Sequence, residues 1–193
     1  GNWQLILDLE AHTCCASTFL FFVWNLFLAT LPYAFARMAD SVKAISVLGT
    51  LLLLWLLFLP NAPYVISDLK HLRPRAGVPY PYDVVVFISC AFTGLYLGGL
   101  SIVNVMRRVG WREWSTGSKA LSFLVFPLAG FGIFLGRVLR WNSWDLFQRP
   151  QQLFVDIVRV VSDANWQGTI LLFTVGYGLA LLVGTGLVLK TSK

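Results

Sequence analysis

One stretch decides how this chain folds: residues 58–73, FLPNAPYVISDLKHLR. It ends a long uncharged run of leucine, tryptophan and phenylalanine, and it opens the densest group of polar side chains in the sequence. Proline disfavours helical geometry for the residue before it, so Pro60 predicts that a helix stops at Leu59. We therefore interpret this stretch as a hinge between an apolar helix and a polar segment.

A second, short helix is predicted over 62–72. Asn61 suits its N-cap, because the side-chain oxygen of asparagine can accept a hydrogen bond from the backbone N–H of Tyr64. Pro63 fits the first turn, where its missing N–H leaves no donor unpaired. The hinge thus predicts a structural motif of four residues: Pro60, Asn61, Pro63 and Tyr64.

The composition places the chain in a membrane. Of its 193 residues 57% are hydrophobic and 12% are charged, with a mean hydropathy of +0.70, whereas a soluble domain is about a quarter charged. The formal net charge of +6 comes from Lys and Arg between apolar runs, which suits orientation in a lipid bilayer and excludes a nucleic-acid partner. We predict one transmembrane domain covering residues 1–193.

The fold class predicted is an all-α integral membrane bundle of about five transmembrane helices. Asp83 is the expected N-cap of the third span. Short interfacial helices are expected after span two, over 62–72, and after span four, where the amphipathic stretch 151–164 follows. The spans are residues 13–36, 42–59, 84–106, 120–138 and 169–189.

A second polar cluster follows the fourth span. Arg137 and Arg140 are three residues apart, so on a continued helix they share a face. After Trp141, the pair Asn142 and Asp145 resembles a capping pair that opens a new short helix. With five spans, this cluster and the hinge emerge on the same face of the membrane, so we expect their side chains to meet.

The orientation of the chain in the membrane is predicted from how the basic residues divide between its two sides. Of the 15 Lys and Arg residues, eight fall on one side of a five-span bundle and seven on the other. If Arg137 and Arg140 belong to an embedded site, they do not orient the chain, and eight against five favours the first side as cytoplasmic. The amino terminus is then expected outside.

Three blocks of this sequence resemble one known family. The first is the hinge from Phe58 to Tyr64, with Asp68, His71 and Leu72; the second is 24–29 with Pro32; the third joins 130–137 to 140–145. They resemble bacterial multi-pass membrane proteins known as domain of unknown function 1361. The resemblance covers the chain from about Phe21 on. It implies a protein of a bacterial-type cell membrane or a derived internal membrane, and it carries no activity with it.

The first functional hypothesis is a structural or accessory subunit of a membrane assembly, with other membrane-protein chains as partners. Asp68 and Asp145, with Arg137 and Arg140, then act as charge-assisted clamps between loops. The many aromatic residues and glycines suit packing against neighbours or pigments. In a pigment complex, His71 could serve as an axial ligand to chlorophyll or another tetrapyrrole.

The alternative is a metal-dependent membrane enzyme acting on a lipid or an anionic headgroup. Asp68, His71 and Asp145 are the candidate ligands of a divalent metal, with Asp83 in reserve, and they leave a position open for water. Arg137 and Arg140 are the candidate anion-binding residues. A small transporter is the third hypothesis. It is favoured by broken helices and by Asn25 inside a span, and it is opposed by the lack of an internal repeat.

Overall fold

All the secondary structure in the described part of the chain is helical. The computed structural model describes residues 3–71, 79–110 and 115–191, and the side chains of 22–68, 79–110 and 115–191. A 3₁₀ helix, Val65–His71, lies between the third and fourth α-helices. The α-helices are α1 (Trp3–Ser41), α2 (Ile45–Phe58), α3 (Asn61–Tyr64), α4 (Tyr80–Arg108), α5 (Thr116–Arg137), α6 (Asp145–Gln148), α7 (Pro150–Ser162) and α8 (Ala164–Thr191).

Four stretches of the described chain are long and apolar enough to cross a membrane. They are Ile45–Asp68, α4, α5 and α8, and they correspond to the second to fifth predicted spans. The first predicted span, 13–36, falls within α1, whose early side chains lie outside the described residues. The first of the five predicted spans therefore stays a prediction.

The long helices form an open arc. α5 packs against α8, α8 against α4, α4 against α1, and α1 against α2. Glycine allows the closest of these approaches: a Cβ on Gly99 would lie 2.6 Å from the Gly184 carbonyl oxygen of α8. A Cβ on Gly130 would lie 2.5 Å from the Thr174 carbonyl oxygen. These glycines thus lie on the faces through which α4 and α5 contact α8.

The hinge differs from the sequence prediction in its backbone. Leu59 (φ −55°, ψ −36°) and Pro60 (φ −56°, ψ −26°) both keep right-handed helical geometry, so the expected departure of Leu59 from that region is wrong. The proline still interrupts the helix, because it has no N–H to donate. Room for its ring comes from Gly132 of α5, where a Cβ would lie 2.6 Å from the Pro60 Cγ.

The predicted N-cap role of Asn61 is also wrong. Pro60 occupies the N-cap position, and no side chain caps α3. Asn61 instead donates from Nδ2 to the carbonyl oxygen of Phe58 at 3.0 Å. One residue earlier, the Leu57 carbonyl oxygen accepts from the Ser143 hydroxyl at 3.2 Å. Both hydrogen bonds serve carbonyl groups at the interrupted end of α2, where regular pairing fails.

The segment after Pro60 is not the single α-helix predicted over 62–72. It is the one-turn α3 followed by the 3₁₀ helix, and it packs against α1 and α4. Ala62, Pro63 and Val65 are fully or nearly fully buried. Irregular backbone at membrane depth is tolerated where protein surrounds it, and burial here meets that condition.

Two further predictions concern helix ends. Asp83 lies in the first turn of α4, whose N-cap is Pro79, so the expected cap is displaced by four residues. The predicted amphipathic helix over 151–164 is present as α7, and Leu153 and Ile157 are half-buried while Phe154 is exposed. Its position at the membrane surface stays a prediction.

Candidate functional site

Asp68 is the centre of the buried polar network. Asp68 is 2% exposed, so an unpaired carboxylate at this position would be costly. Oδ1 accepts a hydrogen bond from Nη2 of Arg137, with which it forms a salt bridge. Oδ2 accepts from Nδ2 of Asn25 at 3.0 Å. We call these three residues the Asp68–Arg137 clamp; they join the 3₁₀ helix, the end of α5 and the middle of α1.

Arg137 makes further contacts with the hinge. Its Nη2 donates to the Ser67 carbonyl oxygen at 2.7 Å, and its Nη1 donates to the Tyr64 hydroxyl at 3.4 Å. The guanidinium also lies over the Tyr64 ring, 5.2 Å from the centroid, in cation–π geometry. The buried Nε has no hydrogen-bond partner among the described residues. The arginine is thus held by backbone, carboxylate and ring together.

Glycines let the end of α5 reach the hinge. A Cβ on Gly136 would lie 3.4 Å from Cε2 of Tyr64 and 3.3 Å from the Trp141 carbonyl oxygen. From α8, Tyr177 interacts with the Ser67 side chain. The lack of side chains at Gly132 and Gly136 therefore explains how Arg137 comes within reach of the hinge.

Asp145 forms a separate local network. Its Oδ2 accepts from the Asn142 backbone N–H at 2.8 Å and from the Asn142 side chain at 3.3 Å. Its Oδ1 accepts from Nη2 of Arg149 at 3.1 Å. The backbone hydrogen bond from Asn142, followed by Arg149, lowers the pKa of Asp145 against the opposing effect of burial. A short helix, α6, does begin at Asp145, as predicted, but its N-cap is Trp144 without a side-chain cap, so the expected capping role of Asn142 is wrong.

The two predicted anion-binding arginines do not share a helix face. α5 ends at Arg137, and Arg140 is exposed with a left-handed backbone (φ 60°). This turn reverses the chain, and the Trp141 N–H closes it on the Leu135 carbonyl oxygen at 3.1 Å. Trp141 then donates from Nε1 to Asp156 of α7 at 3.1 Å. The predicted structural residue Trp141 thus links the loop to α7.

The candidate metal ligands whose side chains are described are not brought together at one site. Asp68 and Asp145 belong to the two different networks above, and the side chain of His71 lies outside the described residues. Within the described side chains, no group of three His, Cys, Asp or Glu residues could hold a metal ion. The expected meeting of the hinge with the cluster after span four is made by Arg137, a predicted member of that cluster, and by Ser143.

The comparison with protein families bears on this arrangement. A family model described as "Protein of unknown function (DUF1361)" matches residues 24–183. The chain belongs to the DUF1361 family. The match spans the hinge, Asn25 and the cluster after α5, so the resemblance drawn from those blocks is confirmed. No curated protein and no solved structure matches the chain.

Sequence reasoning missed three contacts of this DUF1361 protein. Asn25 was expected inside a span, yet nothing in the sequence identified Asp68 as its hydrogen-bond partner. Sequence reasoning did not single out Ser143. It counted Arg108 only as an orienting charge, whereas Nε and Nη2 of Arg108 bind the carbonyl oxygens of Ala39 and Val42 at 2.8 and 2.7 Å. For Ser143, the usable signal in the sequence was Pro60. A proline leaves carbonyl groups without a backbone N–H partner, so donors elsewhere must form hydrogen bonds with them.

Proposed function

We propose that this DUF1361 chain is a membrane protein with a structural or accessory role, in which the Asp68–Arg137 clamp holds α1, α5 and the hinge together. One observation carries the proposal: both oxygens of the buried Asp68 carboxylate accept hydrogen bonds from the protein itself. A carboxylate bound in this way fixes geometry.

The same observation weighs against a metal-dependent enzyme built on these aspartates. A catalytic metal needs ligand oxygens and an open position for water. Both oxygens of Asp145 also accept hydrogen bonds, from Asn142 and Arg149. The transport hypothesis drew on Asn25 inside a span, and the side chain of Asn25 is bound to Asp68 of the clamp. The clamp therefore accounts for these polar groups with the fewest additional assumptions.

The accessory part of the proposal draws on the outward faces of the spans. Phe123 of α5 and Leu172 of α8 are 84% and 71% exposed, and both are apolar. Such apolar faces are compatible with lipid and also with the apolar helices of another membrane chain. We infer that a neighbouring chain would contact these faces, while the clamp keeps the bundle rigid.

Hydrogen exchange tests the clamp. In Arg137→Met, we expect faster amide exchange in α1, the hinge and the end of α5 together, because the three segments lose their common partner. The matched control is Arg149→Met, which removes a largely exposed arginine from Asp145 and should affect only the segment around α6. Faster exchange confined to α5 in Arg137→Met would contradict the clamp.

Two measurements on the native protein test the remaining parts. Elemental analysis should find no stoichiometric metal, and a metal lost in Asp68→Asn would overturn the structural role in favour of the enzyme. Cross-linking in native membranes should yield a defined product of this chain with another protein. A chain that remains monomeric at every cross-linker concentration would overturn the accessory role.

The proposal also includes an orientation with the amino terminus outside. Burial of Arg137 in the clamp supports leaving it out of the orienting charges, while the exposed Arg140 has to be counted. The imbalance then narrows to eight against six of the 15 basic residues, in the same direction. This orientation places both Arg140 and the amino terminus outside, so a single cysteine introduced at Arg140 should be labelled by a membrane-impermeant reagent added to intact cells. Labelling of that cysteine only after the cells are opened would refute the orientation.

A further inference from the structure

A cavity of about 570 Å³ lies in the gap of the helix arc, between α1 and α2 on one side and α5 on the other. This volume is in the range of small-molecule sites. We propose that it binds one single-chain amphiphile with an uncharged, hydrogen-bonding headgroup, such as a monoacylglycerol, taken up from the membrane. This site shares Asn25 with the clamp and goes beyond the proposed function.

The deep end of the cavity is apolar and open to the side. Leu53 of α2 and Leu128 of α5 line opposite walls and are 58% and 43% exposed. At a rise of about 1.5 Å per residue, they lie roughly 10 Å from Pro60 and 14 Å from Arg137 along their helices. An acyl chain can therefore reach into the cavity between two helices that do not pack extensively against each other.

The shallow end of the cavity is polar and carries no formal charge. It is lined by the side chains of Asn25, Asn61 and Ser143, together with Tyr64. The two buried carboxylates bound to lining residues are each paired with an arginine: Asp68 with Arg137 and Asp145 with Arg149. A charged headgroup would give up its hydration here without gaining a counterion, whereas a hydroxyl or ester group finds amide and hydroxyl partners.

α7 covers the cavity on the side of the polar end. Leu153 and Ile157 of α7 contribute to the lining. The Trp141 side chain, which also lines the cavity, is tied to α7 through the hydrogen bond to Asp156. Because this cover narrows access from water, the open side between α2 and α5 is the route that remains, and it faces lipid. The ligand class that fits is therefore a membrane component.

Photo-labelling tests the site. The full chain is placed in phosphatidylcholine nanodiscs with a monoacylglycerol that carries a diazirine in its acyl chain. We expect saturable labelling in the α2 and α5 peptides around Leu53 and Leu128, competed by unlabelled monoacylglycerol. A fatty acid and an alkyl ammonium of equal chain length should not compete. Equal competition by either charged amphiphile would overturn the assignment of an uncharged headgroup.

Matched variants separate the cavity from general lipid contact. Leu128→Trp fills the cavity and should lower labelling by about tenfold. Leu124→Trp lies one turn away on α5 at a 61% exposed position outside the lining and should leave labelling unchanged. If Leu128→Trp does not fold, Leu53→Trp tests the opposite wall. Labelling that is equal in all folded variants would overturn the site.

Discussion

Removing the cation of the Asp68–Arg137 clamp should cost the protein much of its stability. In Arg137→Met, the Asp68 carboxylate, whose side chain is 1% exposed, loses its counterion inside the bundle. Breaking a buried ion pair by removing one partner costs about 3–5 kcal/mol. We expect a loss of about 3 kcal/mol, at the lower end, because the Arg137 side chain is 12% exposed and water reaches part of it.

A double-mutant cycle isolates the pair from the rest of the network. Asp68→Asn removes the charge but keeps an oxygen for the Asn25 amide, and on its own it leaves Arg137 buried without a counterion. The double variant Asp68→Asn/Arg137→Met carries neither charge. It should therefore be more stable than the sum of the single losses predicts, with a coupling energy of about 2–3 kcal/mol.

The assay is equilibrium unfolding of the purified chain in mixed micelles, titrated with sodium dodecyl sulfate and followed by far-ultraviolet circular dichroism. Arg149→Met is the control, because its partner Asp145 is buried but Arg149 itself is 57% exposed. Pairs of that kind contribute about 0–1 kcal/mol. If Arg137→Met costs no more than Arg149→Met, or if the cycle shows no coupling, the clamp does not hold the bundle together.

Three further predictions follow from the described contacts. Gly130→Ala should destabilise the protein by about 1–3 kcal/mol, because its Cβ meets the α8 backbone, whereas Gly176→Ala, with no atom within 4 Å, should be nearly neutral in the same titration. Ser143→Ala should cost about 0.5–1.5 kcal/mol by freeing a carbonyl at the end of α2, and Ser143→Thr, which keeps the hydroxyl, should cost less. The lowered pKa of Asp145, caused first by the Asn142 backbone N–H, means that its stabilisation is complete above the ordinary aspartate pKa of about 3.9 and is lost as the pH falls through the lower folded value. Unfolding measured across this acidic window should show that loss in the wild type and not in Asp145→Asn.

The positions of the helices could be predicted from the sequence more completely than the contacts between them. Uninterrupted apolar runs place α4, α5 and α8 within a few residues of their predicted bounds, because membrane thickness sets the length of a span. The backbone at Pro60 was harder to predict. A proline disfavours helical geometry for the preceding residue but does not forbid it, and burial of Leu59 together with the space at Gly132 outweighs that preference.

The candidate site was predicted in part, and for a physical reason. Asp68 and Arg137 were singled out because buried charges need partners, but the identity of each partner depends on how helices distant in sequence pack. Asn25 lies 43 residues before Asp68, and no local pattern encodes that distance. Arg140 was assigned to the wrong surface because a left-handed residue ends the helical periodicity at once.

The order of the helices in the arc has a consequence for how the protein is made. α5 packs extensively against α8, which follows it in the chain, while α1, α2 and α4 adjoin one another and precede both. During insertion, α5 therefore stays in lipid without its main neighbour until α8 has been synthesised. A chain truncated before α8 should keep the α1–α2–α4 unit and leave α5 as a target for membrane quality control.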